Sequence, residues 1–194
     1  MEATGPGQDL LRDFARFGYL SGWRKGEIAS LTWADVDRDG RVIRLRPGSS
    51  KTGEGRTLAL EGELWEIIER RWAARQVPTP EGARLVPWVF HRAGHPIQDI
   101  RGAWASACKA AGLEGKLFHD LRRTAVRNMI RAGVSQSVAM KISGHRTAAI
   151  FRRYDITTEA DIREAVRKTQ AHLQAQPPVR TVVPLREAVE GSAR

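Results

Sequence analysis

Six residues of this chain are of types that can bind an anion or move a proton: Arg24, Lys51, His119, Arg122, His145 and Tyr154. His119-Asp-Leu-Arg122 sets a histidine and an arginine three positions apart, so on a helix they share one face. At a helix start, exposed N–H groups and the positive dipole end favour a bound anion. Arg24 opens a segment continuing Glu27-Ile28-x-x-Leu31. A cation at a helix start is electrostatically misplaced, so it needs a partner, either Glu27 or a bound phosphate. Tyr154 follows Arg152-Arg153. Cations favour the phenolate of a group whose pKa is ordinarily ~10. Each residue alone has a plainer reading. His119 with Arg122 is a surface cap, Gly144-His145 a glycine helix end with a basic residue, Tyr154 a half-buried core ring and Lys51 a solvated loop lysine.

The elements that must position these residues follow from pattern. Gln8 to Leu20 reads as a helix with Leu10, Leu11, Phe14 and Phe17 near helical spacing. Ser21-Gly22 interrupts it, and a short helix runs from about Arg24 to Leu31, with Leu31, Trp33 and Val36 assigned to the core. Arg41–Leu45 and Arg56–Leu60 look like strands. Between them Pro47-Gly-Ser-Ser-Lys51-Thr-Gly-Glu-Gly55 is rich in turn formers, which predicts a small antiparallel sheet with a flexible tip carrying Lys51. Glu61–Arg75 reads as an amphipathic helix. Val77–Pro87, with three prolines, reads as a loop. Helices are expected over Ile97–Ala111, Asp120–Ala132, Ser135–Ser143, Thr147–Tyr154 and Glu159–Gln174. Pro177-Pro178 ends the last one, leaving a tail with a short apolar piece, Thr181–Leu185. The class is α+β, mainly α-helical, with a small antiparallel sheet in the N-terminal third.

Composition narrows the partner. The chain has 194 residues, enough for one domain with its own core, and 41% are hydrophobic. Lys and Arg total 32 against 22 Asp and Glu, a formal charge of +10, and 26 of the 32 cations are arginine. Arginine suits bidentate phosphate contacts and points to a polyanion. A GC-rich coding sequence gives the same bias. Apolar stretches such as Leu85–Phe90 are far too short to cross a bilayer, and residues 1–7 lack the basic start and apolar run of a signal peptide. The one cysteine, Cys108, excludes a disulfide framework and a cysteine-based zinc site. It reads as a buried small hydrophobe and suits a reducing cytoplasm.

The order of the segments changes their weight. The chain reads Ser21-Gly-Trp-Arg24-Lys-Gly-Glu27, then Ser50-Lys51-Thr-Gly with Arg56-Thr-Leu-Ala-Leu60. Next come His119-Asp-Leu-Arg122-Arg-Thr-Ala, Ile142-Ser-Gly144-His145-Arg-Thr, and Phe151-Arg-Arg-Tyr154. Together these resemble the catalytic domain of the tyrosine recombinase (phage integrase) family, over roughly residues 8 to 175. Eight residues separate His145 from Tyr154, fewer than in many members.

The resemblance implies DNA strand cleavage and rejoining without metal, ATP or another cofactor. Tyr154 is then the nucleophile, forming a 3′-phosphotyrosyl link and releasing a 5′-hydroxyl. Arg24 and Arg122 clamp the equatorial oxygens of the transition state. Lys51 protonates the leaving oxygen, His119 serves as proton acceptor or hydrogen-bonding partner, and His145 donates to the phosphate. The clustered cations and near-neutral histidine pKa fit these roles. Glu27 is expected to orient Arg24, Asp120 to sit at a helix N-terminus, and Lys25 to be a surface charge.

The implied partner is double-stranded DNA, bound by a homotetramer on paired sites when full length, with a monomer allowed for the isolated domain, in a bacterial or phage setting in the cytoplasm at the nucleoid, with no membrane. Residues 1–176 are expected to form the catalytic domain and 177–194 a tail, swapped onto a neighbour or disordered. Only 23 residues precede Arg24. The helical core-binding domain of family members does not fit there, so an excised domain or a truncated product is expected. Two other readings remain: a type IB topoisomerase, and a non-catalytic helix-turn-helix module over residues 135–150.

Overall fold

A computed structural model describes residues 6–45, 55–151 and 158–176. The chain divides into two units, Met1–Asp155 and Ile156–Arg194. In the first, helix α1 (Pro6–Ser21) buries Leu10, Phe14 and Phe17, whose spacing makes one stripe. Ser21 Oγ donates to the Phe17 carbonyl at 2.6 Å, and Gly22, at φ +67°, turns the chain. That turn lays Trp23 against Phe17 with ring centroids 5.7 Å apart. Phe14 meets Phe90 and Phe118 at 5.3 and 5.2 Å, completing an aromatic centre.

Helix α2 (Lys25–Ala29) and a 3-10 turn (Trp33–Asp35) lead into a three-stranded antiparallel sheet. Its strands are β1 (Val36–Asp37), β2 (Val42–Leu45) and β3 (Arg56–Ala59), in that order. Leu45 pairs with Arg56, so the connection carrying Lys51 leaves from the end of the ladder. Lys51 itself lies outside the described residues. Ile43, Leu45, Leu58 and Leu60 turn inward. Helix α3 (Glu63–Ala73) adds Ile67 and Ile68 to the core. It is tied to α1 through fully buried Asp13, which meets Arg70 at 2.8 Å and Arg71 at 3.0 Å.

Residues 77–87, expected to be a loop, instead contain most of a hairpin, β4 (Gln76–Thr79) with β5 (Gly82–Leu85). Pro78 pairs with Ala83. In a two-stranded ribbon both strands are edges, so a residue without an N–H is tolerated there, and Pro80 falls in the turn. A second small hairpin, β6 (His91–Arg92) with β7 (His95–Pro96), delays the next helix. That helix, α4 (Arg101–Ala110), starts later than expected and carries buried Cys108.

Three further helices complete the unit: α5 (Phe118–Arg131), α6 (Gln136–Ser143) and α7 (Ala148–Phe151). Val126, Ala139 and Phe151 form a second, smaller core that binds them to one another. In the second unit, α8 (Glu159–Ala175) is capped by Thr158, whose N–H and hydroxyl both donate to Asp161 Oδ2 at 2.7 Å. The class is α+β and mainly helical, as expected. Among the described residues no helix is long and apolar enough to cross a membrane.

Candidate active site

The C-terminus of α6 organises the site. The last carbonyls of a helix lack intrahelical donors and carry the negative end of its dipole. Here three successive carbonyls take side-chain donors from distant elements. Trp23 Nε1 donates to Ile142 O at 2.9 Å, and Arg56 Nη1 donates to Ser143 O at 2.9 Å. Arg122 Nη1 also donates to Ser143 O, and to Gly22 O at 2.6 Å. Arg24 Nη2 donates to Gly144 O at 3.3 Å. Thus α2, β3 and α5 each send an arginine to the end of α6. The chain reverses at Gly144, at φ +72°, whose own N–H donates to Met140 O at 2.7 Å.

Glu27 is the counter-charge. It is 3% exposed and sits at the third position of α2, where its Oε2 accepts from the Arg24 N–H at 2.9 Å. Its Oε1 meets Arg24 Nη1 at 2.9 Å and Arg56 Nη2 at 2.5 Å. Burial raises its pKa, but the Arg56 pair and the Arg24 contacts outweigh it, and the net shift is downward. Arg24 therefore has the carboxylate partner that its position demanded. Its side chain is 30% exposed, against 6% for Arg56, so Arg24 is the more open guanidinium of that pair.

The two histidines flank this cluster. His119 is the second residue of α5 and is exposed. Asp120 accepts from the Leu117 N–H at 2.9 Å, the helix-start role expected of it. Desolvation first, then the charges of Arg122 and Arg123, lower the His119 pKa. His145 is buried, its ring edge-on to Phe151 at 5.9 Å. Burial, followed by Arg122 and Arg24, pushes its pKa down to about 4. Ser143 Oγ donates to Ala139 O at 2.6 Å, which commits its proton. The oxygen therefore accepts from His145 Nδ1 at 2.8 Å, fixing the Nδ1–H tautomer. In this state Nε2 carries a lone pair. The donor role that the resemblance implies for His145 requires ring protonation, which an anion in the cluster favours.

This makes stability pH-dependent. An unfolded histidine titrates near 6.5, so between pH 6.5 and about 4 the unfolded chain holds a proton that folded His145 does not. Stability is full above 6.5, falls as pH drops towards 4, and levels off below. The urea midpoint is expected to be lower at pH 5 than at pH 7.5, with a smaller difference in His145→Asn. An equal difference in the variant would show that His145 is not held neutral.

A profile described as the phage integrase family matches residues 4–160. The chain belongs to the phage integrase family. It is 27% identical over 156 residues to the integrase of Salmonella phage P22, covering 76% of this chain and 39% of that one. A putative integrase/recombinase of Haemophilus influenzae is 30% identical over 138 residues, 70% of this chain and 33% of that one. The chain thus spans between a third and two-fifths of the length of these relatives. The Tn1549 transposon integrase, solved with transposon right end DNA, superposes at a TM-score of 0.62 with 20% identity, over 86% of this chain and 65% of that one. XerA recombinase does so at 0.60 with 18% identity, over 92% and 67%. The fold is that of tyrosine recombinase catalytic domains.

In this family member the structure brings together Arg24, Arg122 and His145, with His119 near enough to feel Arg122 and Arg24. Tyr154, like Lys51, lies outside the described residues. Two participants escaped the sequence reading as site residues, Arg56 and Ser143. The signal for Arg56 was present: it shares the inward parity of Leu58 on β3 and of Leu60 just beyond it, where an arginine implies a buried partner. The helix-turn-helix reading of 135–150 is not favoured. The turn at 143–145 is taken up by Arg24, Arg56 and Arg122 rather than presented as a recognition element.

Proposed function

We propose that this chain is the catalytic part of a site-specific recombinase that cleaves and rejoins double-stranded DNA through a 3′-phosphotyrosyl intermediate. One observation supports this most: three guanidinium groups gather at the end of α6, two of them on the Glu27 carboxylate and the third on Ser143 O, beside two neutral-leaning histidines. Such a cluster has an excess of positive charge and is built to receive an anion. In this reading Arg24 and Arg122 hold the non-bridging oxygens of the scissile phosphate. Tyr154 attacks phosphorus, its proton passes to a histidine, and Lys51 protonates the departing 5′-oxygen. The tyrosyl ester conserves the bond energy, so a second 5′-hydroxyl reverses the step without ATP. Residues 1–176 carry this chemistry, with 177–194 as a tail outside the described residues. The full-length protein acts as a homotetramer on paired sites, at the nucleoid in the cytoplasm, in integration or excision of a mobile element.

The test is a nicked duplex built on the junction sequences flanking the gene, from which the cleaved end diffuses away. The chain is expected to form a complex with it that resists denaturant and is destroyed by protease. A complex that denaturant always dissolves would overturn the reading.

A further inference from the structure

We propose that Arg56 is a positioning residue for this reaction, keeping Arg24 available to phosphate and the 143–145 turn in place before DNA arrives. The proposal rests on the strand-cleavage reading. Arg56 joins α2 to the turn at the end of α6. Its Nη2 meets Glu27 Oε1 at 2.5 Å, and its Nη1 donates to Ser143 O at 2.9 Å. Its guanidinium lies over the Trp23 ring at 5.1 Å, and Trp23 itself bonds Ile142 O. It also fills the space above Gly144: a Cβ there would lie 2.1 Å from Arg56 Nη1 and 2.5 Å from its Cζ. Gly144 is therefore needed twice over, for its positive φ and for this close approach.

The physical consequence concerns Glu27. Its Oε1 is shared between Arg24 and Arg56. Without Arg56, Arg24 is the one cation among the described residues paired with the buried carboxylate, and Arg24 is drawn into a tighter pair that withdraws its donors from phosphate. At the same time Ser143 O loses one of its two cations and Gly144 its packing. The turn that fixes the His145 tautomer through Ser143 is then less constrained. Lysine at 56 keeps the charge, but a single ammonium cannot span Glu27 and Ser143 O as the planar fork does.

The experiment compares wild type, Arg56→Lys, Arg56→Met and the Glu27→Gln/Arg56→Met double variant on the nicked duplex at saturating DNA. Arg56→Met is expected to form adduct about 10²-fold more slowly, with Kd for DNA within about threefold of wild type, as for a displaced catalytic group. Arg56→Lys should fall between the two. The double variant should recover part of the rate, because a neutral Glu27 no longer captures Arg24. An Arg56→Met rate near wild type, or a loss matched by the unfolded fraction and not relieved in the double variant, would overturn the proposal. Histidine NMR of the DNA-free chain gives an arm independent of cleavage. The His145 ring should lose its single Nδ1–H tautomer in Arg56→Met. An unchanged ring there would overturn the proposal even if wild type formed no adduct, an outcome that counts separately against the strand-cleavage reading.

Discussion

Tyr154→Phe is expected to abolish the covalent protein–DNA complex while leaving reversible DNA binding in place. The substitution removes one oxygen and keeps the ring, so it separates nucleophile from packing. A phenol with an ordinary pKa of ~10 needs help to attack at neutral pH. In the proposed reaction the cluster at the end of α6 supplies it, where Arg24 and Arg56 meet Glu27 and Arg122 meets Ser143 O. The chain has only two tyrosines, which makes the control decisive. Tyr19 is occupied elsewhere: its hydroxyl accepts from Asn128 Nδ2 at 2.9 Å, and Arg16 lies over its ring at 5.2 Å. Asn128 is nearly two turns of α5 beyond Arg122, away from the end of α6. Tyr19→Phe should therefore form the complex at close to the wild-type rate. Denaturant-resistant, protease-sensitive attachment by Tyr154→Phe would show that another group is the nucleophile.

The parts of this site that could be read from sequence are the local ones. His119 and Arg122 are three apart on one helix, and Arg24 and Glu27 are three apart across a helix start, so spacing put each pair within reach, while leaving Arg24 a choice between Glu27 and a bound phosphate. Relations between distant segments were not readable in this way. Nothing in the order of residues says that Arg56 of β3 meets Ser143, 87 positions on, or that Arg122 reaches back to Gly22. These pairs exist because α6 ends where three other elements converge, which is a property of packing. The same limit explains the hairpin at 76–85. Proline argues against a strand in general, yet not against an edge, and edge status is set by the sheet rather than by the residue.

The arginine excess also divides into different uses. Part of it is structural. Arg70 and Arg71 neutralise buried Asp13, Arg38 pairs with Glu69, and Arg38 and Arg75 lie over Trp72 at 4.3 and 3.7 Å. These groups are committed within the fold and add little to a phosphate track. The composition pointed to a polyanion, and the structure narrows the focus of that charge to the end of α6. There the helix dipole and one carboxylate hold cations together that would otherwise repel.

Arg122→Lys is expected to slow adduct formation at saturating DNA by ~10²–10³-fold, the usual cost of losing one preorganised donor to a transition-state oxyanion. The side chain is 2% exposed, and one nitrogen serves both Gly22 O and Ser143 O. A planar fork held by its own backbone contacts arrives at the phosphate already oriented. Lysine retains the charge but offers a compact ammonium on a flexible stem. If it satisfies the two carbonyls it is not placed for phosphate, and if it turns to phosphate it abandons them. Arg122→Ala should lower stability as well, because Gly22 O loses this donor, a loss that costs about 1–3 kcal/mol for a buried carbonyl, while Ser143 O keeps Arg56. Comparing the two by urea unfolding and single-turnover cleavage separates the effects. The lysine variant should lose far more rate than stability, and the alanine variant should lose both. If Arg122→Lys cleaved within about tenfold of wild type, Arg122 would be a clamp for the Gly22 and Ser143 turns and not a phosphate ligand.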